Sequence, residues 1–97
     1  IAALAQRVVQ IFPVELDPHF SVEEQGILLL LAQAGQHVLV ARTLADHAEL
    51  RRLAKALASP DADILLRFAE LLGAHVRFEE REVFEAAQTR LDMDTAY

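Results

Sequence analysis

Apolar residues recur at steps of three and four along most of the chain, which is the spacing of one face of an α-helix. The clearest helical segment runs from residue 61 to about residue 91, and the "SPDA" motif at its start predicts Ser59 as the N-cap. A second helical segment is predicted over residues 38–58, after the helix-ending Gly35. No stretch has the alternating pattern of a β-strand. The sequence therefore predicts an all-α fold in a single domain, residues 1–97.

The first third of the chain, residues 1 to about 34, has the same helical spacing but is interrupted by two prolines, Pro13 and Pro18. A proline lacks the backbone N–H donor, and its ring crowds the preceding turn of a helix. We therefore expect a kink or a broken helix in this segment.

Ionisable side chains occupy positions of the three apolar stripes that are predicted to face the core. Two pairs have the spacing His-x-x-x-Glu, which places both side chains on one face of a helix. Buried carboxylates are unfavourable unless they are paired or bind a metal, and the stripes contain no Lys or Arg to pair with them. The five residues are His19, Glu23, His47, His75 and Glu79.

The two His-x-x-x-Glu pairs belong to a sequence repeat. The segment "FPVELDPHFSVEEQGIL" from Phe12 aligns without a gap with "FAELLGAHVRFEEREVF" from Phe68, at an offset of 56 residues. Two helices are therefore expected to carry the same motif at the same height. At this offset the counterpart of His47 falls before Ile1, so we expect a preceding helix with one more histidine. The chain would then hold the last three helices of a four-helix bundle.

Three imidazoles and two carboxylates form a ligand set that suits iron, manganese or zinc, whereas calcium prefers oxygen ligands and copper(I) prefers sulfur. One such pair by itself is usually solvated, but the repeated pair and a third core histidine favour a metal site over an internal polar network. Glu24 and Glu80 lie about 100° around the helix from these carboxylates and are predicted to be solvated, with hydrogen bonding to the ligands as the alternative. Asp46 and Glu49 lie off the stripe, so no role at the site is expected for them.

Composition and charge exclude several other classes of protein. The chain has no cysteine, which excludes disulfides, thiolate metal sites and cysteine nucleophiles and agrees with a cytoplasmic location. Its formal net charge of -6 disfavours binding to nucleic acid. The longest apolar run, "ILLLLA", is far shorter than the roughly 20 residues that cross a bilayer, so no membrane insertion is expected.

Three segments, "HFSVEEQGILLL", "TLADHAELRRL" and "LLGAHVRFEEREVF", resemble the haemerythrin-like family, also called HHE cation-binding domains. The resemblance extends from about Phe12 to Phe84. It implies an up-down-up-down four-helix bundle with a non-haem di-iron centre in its core, in which one glutamate bridges two irons. By this resemblance the metal ligands would be His19 and Glu23 from the second helix, His47 from the third, and His75 with Glu79, or alternatively Glu80, from the fourth.

The resemblance also implies a function, because members of the family bind oxygen, sense oxygen, nitric oxide, redox state or iron, or handle iron. Oxygen carriers have two histidines four residues apart on the third helix, whereas Thr43 and Arg51 stand at that spacing from His47. A sensing, redox or storage role is therefore favoured over oxygen transport. The expected mechanism is reversible binding of oxygen or nitric oxide at an open iron position.

Two other functions are left open by the sequence. A metal-free helical interaction module would bury its apolar stripe against another chain, by oligomerisation or by exchange of helices, so a homo-oligomer is expected. A di-iron oxidase or peroxidase is the third alternative, although the sequence shows no substrate pocket from which to argue it.

Overall fold

The computed structural model describes residues 1–91, and this range is helical apart from short turns. Three helical rods follow one another, and the described range contains no strand, which confirms the all-α prediction. Residues 92–97 of the predicted domain lie outside it. None of the described helices is both long and apolar enough to cross a membrane. The helices are α1 (Ala2–Ile11), α2 (Asp17–Gln25), α3 (Ile27–Gln33), α4 (His37–Ala56), α5 (Ala62–Phe78) and α6 (Phe84–Arg90).

Two π-helical turns join successive α-helices within the three rods, of which the first holds α1 to α3, the second α4, and the third α5 and α6. Phe12–Leu16 joins α1 to α2, and Glu79–Val83 joins α5 to α6. The interruption expected at Pro13 and Pro18 is thus a π-helical turn rather than a break. Each proline lies within the first two positions of its helical segment, where a missing N–H donor disturbs the helix least.

The first rod is interrupted at Gly26. Its backbone dihedral angles, φ -114° and ψ -98°, lie outside the helical region and separate α2 from α3. A Cβ atom at this position would lie 3.0 Å from the carbonyl oxygen of Val22, which is closer than side chains normally approach. Glycine therefore allows α2 to end just after Glu23.

The turn between α3 and α4 depends on Gly35, whose φ of 86° lies in the left-handed region. The N–H of Gln36 donates to the carbonyl oxygen of Leu31 at 2.9 Å, which closes the end of the helix. The predicted helix end at Gly35 is confirmed.

The N-cap of α5 is Asp61, so the prediction of Ser59 is wrong. The carboxylate of Asp61 accepts hydrogen bonds from the backbone N–H groups of Asp63 and Ile64, at 2.9 and 3.1 Å. These bonds satisfy two donors that a helix start would otherwise leave free. Ser59 lies in the preceding turn, where its own N–H donates to the carbonyl oxygen of Ala56.

Two apolar clusters lie on either side of the ionisable stripe residues. Along α4, for example, His47 lies between Val40, which packs against one cluster, and Leu50, which belongs to the other. The first cluster consists of Ala5, Phe12, Phe20, Leu50, Leu53, Ala54, Leu57 and Phe68. The second consists of Leu28, Leu31, Phe78 and Val83.

A groove of about 630 Å³ runs between α1 and α5. Leu4 and Val76, which line it, are 60% and 44% exposed, and no further rod covers them within residues 1–91. Its lining is almost entirely apolar and includes Val8, Ile11, Leu16, Leu65 and Leu72. We call this surface the α1/α5 groove.

Candidate metal centre

Four buried ionisable residues from all three rods meet in the middle of the structure. Glu23 comes from α2, His47 from α4, His75 from α5, and Glu79 from the first position of the second π-helical turn. Each is at most 6% exposed. One ligand atom from each residue lies within 4.8 Å of the corresponding atoms of the others. We call these four residues the His/Glu cluster.

The atoms that face one another in the His/Glu cluster lack hydrogen-bond partners. The Nε2 atom of His47 lies 3.2 Å from Oε1 of Glu23, and Nε2 of His75 lies 3.3 Å from Oε1 of Glu79. Neither contact is aligned as a hydrogen bond. Both Nε2 atoms, Oε1 of Glu23 and Oε2 of Glu79 are therefore buried and unsatisfied among the described residues. Such groups are unfavourable without a partner, and a cation among them would satisfy all four.

Each histidine of the cluster contacts a second carboxylate through its other ring nitrogen. Nδ1 of His47 lies 2.7 Å from Oε2 of Glu24, and Nδ1 of His75 lies 3.0 Å from Oδ2 of Asp46. A carboxylate accepts a hydrogen bond, so the proton belongs on Nδ1 and the Nε2 lone pair points into the cluster. This arrangement, in which a carboxylate orients a histidine, is common at protein metal sites. The residues therefore fit a metal ion.

These contacts correct two sequence-based predictions. Glu24 was expected to be solvated, but its carboxylate contacts His47, which is the alternative that the sequence left open. No role was expected for Asp46, yet it contacts His75. Asp46 lies about 100° around α4 from His47. Its contact with His75 shows that this direction faces the neighbouring helix α5. Glu80 is exposed, as predicted.

His19 lies at the edge of the His/Glu cluster rather than within it. Its side chain is 58% exposed, and its Nε2 lies 3.6 Å from Oε2 of Glu23. The two oxygens of Glu23 therefore face different histidines, with Oε1 toward His47 and Oε2 toward His19. Of the five residues predicted from the sequence, four lie together and His19 lies beside them. Its role as a ligand stays a prediction.

The two carboxylates of the cluster influence each other's ionisation. Burial raises the pKa of Glu79, and the adjacent carboxylate of Glu23 raises it further, so it lies above its usual value despite the nearby ring of His75. Burial also acts to raise the pKa of Glu23, but its close contacts with His47 and Glu79 outweigh burial and the pKa is lowered. One of two neighbouring carboxylates tends to keep its proton in this way unless a positive charge lies between them.

The aromatic ring of Phe20 lies against both histidines of the cluster. The ring of Phe20 stacks on that of His47, with centroids 4.0 Å apart and an angle of 9° between the planes. Phe20 also meets His75 edge to face at 5.9 Å, and the two imidazoles are 4.9 Å apart. The apolar ring keeps water away from this side of the cluster, which strengthens electrostatic interactions there. The position of Phe20, directly after His19, gave no signal of this contact in the sequence.

The comparisons with known proteins agree with this chemistry. The family model described as Hemerythrin HHE cation binding domain matches residues 2–87. The matched range includes every residue of the His/Glu cluster and His19. No curated protein and no solved structure matches the chain.

Proposed function

Because the chain belongs to the family of Hemerythrin HHE cation binding domains, we propose that its His/Glu cluster binds iron and serves to bind oxygen or nitric oxide, or to sense redox state or iron. One observation carries this proposal: one ligand atom from each cluster residue lies within 4.8 Å of the others, and each residue has a buried side-chain atom without a hydrogen-bond partner. Two neutral imidazoles and two carboxylates are ligands that iron, manganese and zinc accept. Within the family iron is the expected metal, and manganese or zinc are the alternatives.

We further propose that the site holds two metal ions. The first position would use both histidines of the cluster together with Oε1 of Glu23 and the carboxylate of Glu79. The second would use Oε2 of Glu23 and the nearby Nε2 of His19, 3.6 Å away. The support for a bridging Glu23 is that its two oxygens face two different histidines.

The protein's own residues have clear tasks in this proposal. Iron, when bound, supplies an open coordination position for a diatomic ligand. Glu24 and Asp46 keep a proton on Nδ1 of His47 and His75, so that each Nε2 is available as a neutral ligand. Phe20 covers the ring of His47 and keeps water from that side.

Iron content tests this function. Purified protein is reconstituted with ferrous iron under anaerobic conditions, desalted and measured by plasma mass spectrometry. We expect about two irons per chain, or per assembled site, as in other di-iron bundle proteins. Glu79→Gln removes a charge from the cluster and should lower the iron content, whereas Glu80→Gln, a matched change at an exposed neighbour, should not. Equal iron content in both variants, or none in the wild type, would contradict the proposal.

A second candidate function is an interaction module, and the α1/α5 groove is the observation that favours it. Exposed apolar surface of this kind usually marks a contact with another helix or another chain. We propose that a fourth helix covers the groove, either one that precedes Ile1 or one from a second copy in a homo-oligomer. Light scattering measures the mass in solution. A metal-free dimer would favour the module, and a monomer that retains iron would count against it.

A further inference from the structure

The surroundings of the two cluster histidines differ. Oε2 of Glu24 accepts hydrogen bonds from both Nδ1 of His47, at 2.7 Å, and Nη1 of Arg51, at 2.8 Å. The other oxygen of Glu24 accepts from Nη2 of Arg51 at 3.2 Å, so the arginine donates to both oxygens of the carboxylate. Asp46, which contacts His75, has no arginine contact within residues 1–91. Only the His47 side therefore has a three-member chain of arginine, carboxylate and imidazole.

Arg51 is itself held in place by α2. Its Nε donates to Oδ1 of Asp17 at 2.6 Å, and its guanidinium carbon lies 5.6 Å from the centroid of the Phe20 ring. Asp17, Phe20 and Glu24 stand at positions i, i+3 and i+7 of α2 and so share one helix face. The same Phe20 ring stacks on His47. Arg51 thus lies against both Glu24, which accepts a hydrogen bond from His47, and Phe20, whose ring stacks on that of His47.

We propose that Arg51 is a positioning residue of the metal centre, which holds Glu24 against Nδ1 of His47 and thereby keeps Nε2 of His47 directed into the His/Glu cluster. This inference rests on the proposed metal-binding function. The planar guanidinium can donate to both carboxylate oxygens while its Nε donates to Asp17, which an ammonium group cannot reproduce. Glu24 is partly exposed, with a side-chain exposure of 23%, so without Arg51 its carboxylate is free to turn to water.

A simpler reading is that Arg51 only ties α4 to α2 as an ion pair between helices. That reading predicts lower stability in a variant without Arg51 but unchanged metal affinity once folded. Positioning predicts a weaker site. The loss of a group that orients a metal-binding histidine typically lowers metal affinity about 10–100-fold.

Calorimetric titration with zinc distinguishes a positioning role of Arg51 from a purely structural ion pair. Arg51→Met keeps much of the side-chain volume and removes the charge and the hydrogen bonds, so we expect affinity to fall about 10–100-fold. Arg51→Lys keeps the charge without the planar fork and should give an intermediate loss. Arg52→Met is the matched control, because Arg52 is the next residue along α4 and, within residues 1–91, its side chain pairs with Glu49 at the protein surface, away from the cluster. It should bind zinc like the wild type.

A double-mutant cycle with Glu24→Gln tests whether Arg51 acts through Glu24. If it does, Arg51→Met should cause little further loss of zinc affinity in the Glu24→Gln background. Equal losses in both backgrounds would overturn the proposal. In parallel, multiple-bond ¹H–¹⁵N NMR of the zinc-loaded protein measures the ¹⁵N chemical shift of Nδ1 of His47, which depends on its hydrogen bond to Glu24. We expect the same shift in the wild type and in Arg52→Met, and a different shift in both Arg51 variants.

The outcomes for this inference and for the proposed function are distinct. A wild-type protein that binds neither ferrous iron nor zinc would overturn the metal-binding function itself. A wild-type protein that binds zinc, with the same affinity and the same His47 signal in both Arg51 variants, would leave that function intact and overturn the role of Arg51. Arg51→Lys, which retains the charge, keeps this test available if Arg51→Met does not fold.

Discussion

His19 and His75 occupy equivalent positions in the sequence repeat, but their side chains are 58% and 1% exposed. His75 is covered by α4, which also supplies Asp46 to its Nδ1. His19 has no such cover within residues 1–91, and its Nε2 contacts only the outer oxygen of Glu23 among the charged groups of the cluster. The repeat is therefore symmetric in sequence and asymmetric in burial.

This asymmetry predicts unequal effects of removing the two histidines. His75→Ala should abolish tight zinc binding, because it removes one of the four proposed ligands from the buried cluster. His19→Ala should leave the first equivalent of zinc bound and remove or weaken the second. Calorimetric titration measures both, with His37→Ala, a change at an exposed histidine outside the cluster, as the control. Loss of all binding in His19→Ala, or normal binding in His75→Ala, would count against the assignment.

As the pH is lowered, zinc affinity should begin to fall at a higher pH than it would for a site with an ordinary histidine. Burial acts to lower the pKa of His75, but the neighbouring carboxylates of Glu79 and Asp46 outweigh burial and the pKa lies above its usual value. A proton and a metal ion compete for the same nitrogen, so apparent affinity declines once the pH drops below the pKa of the metal-free histidine. The decline should therefore begin above about pH 6.5, the ordinary histidine value. Titrations between pH 8 and pH 5, with circular dichroism to monitor folding, would refute this if affinity stayed constant.

Two glycines should respond to alanine in opposite directions. At Gly26 a Cβ would lie 3.0 Å from the carbonyl oxygen of Val22, so Gly26→Ala forces the backbone to shift and should lower the free energy of unfolding by about 1–3 kcal/mol. At Gly73, inside α5, the nearest atom is 3.4 Å away and belongs to the flexible side chain of Arg77. Gly73→Ala should raise the free energy of unfolding by about 0.5–1 kcal/mol through helix propensity. Urea denaturation measures both free energies of unfolding. A stabilising effect of Gly26→Ala would contradict the expected clash between the new Cβ and the carbonyl oxygen of Val22.

The helices and the proximity of the four residues of the His/Glu cluster can be predicted from the sequence, because both depend on periodicity. Spacings of three and four residues place Glu23, His47, His75 and Glu79 on inward helix faces, and the structure brings these four together. The repeat also marks the two carboxylates as a related pair. These are properties of single helices and of their alignment, which the sequence contains.

The details that the sequence does not predict depend on contacts between helices. Asp46 lies off the stripe of its own helix but faces α5, and Arg51 reaches across to α2. The interruption at Gly26 depends on how α2 meets α3. In the sequence, a glycine followed by an apolar run is compatible with either an interrupted or a continuous helix. At the start of α5, Ser59 and Asp61 are both good N-cap residues, and only the local backbone selects Asp61.

Anomalous diffraction from crystals of the zinc-loaded protein tests the central claim most directly, because it locates the metal rather than counting it. We expect an anomalous peak inside the His/Glu cluster, about 2.0–2.2 Å from Nε2 of His47 and Nε2 of His75 and from a carboxylate oxygen of Glu23 or Glu79. Zinc peaks confined to surface residues, with both Nε2 atoms free of metal, would contradict it.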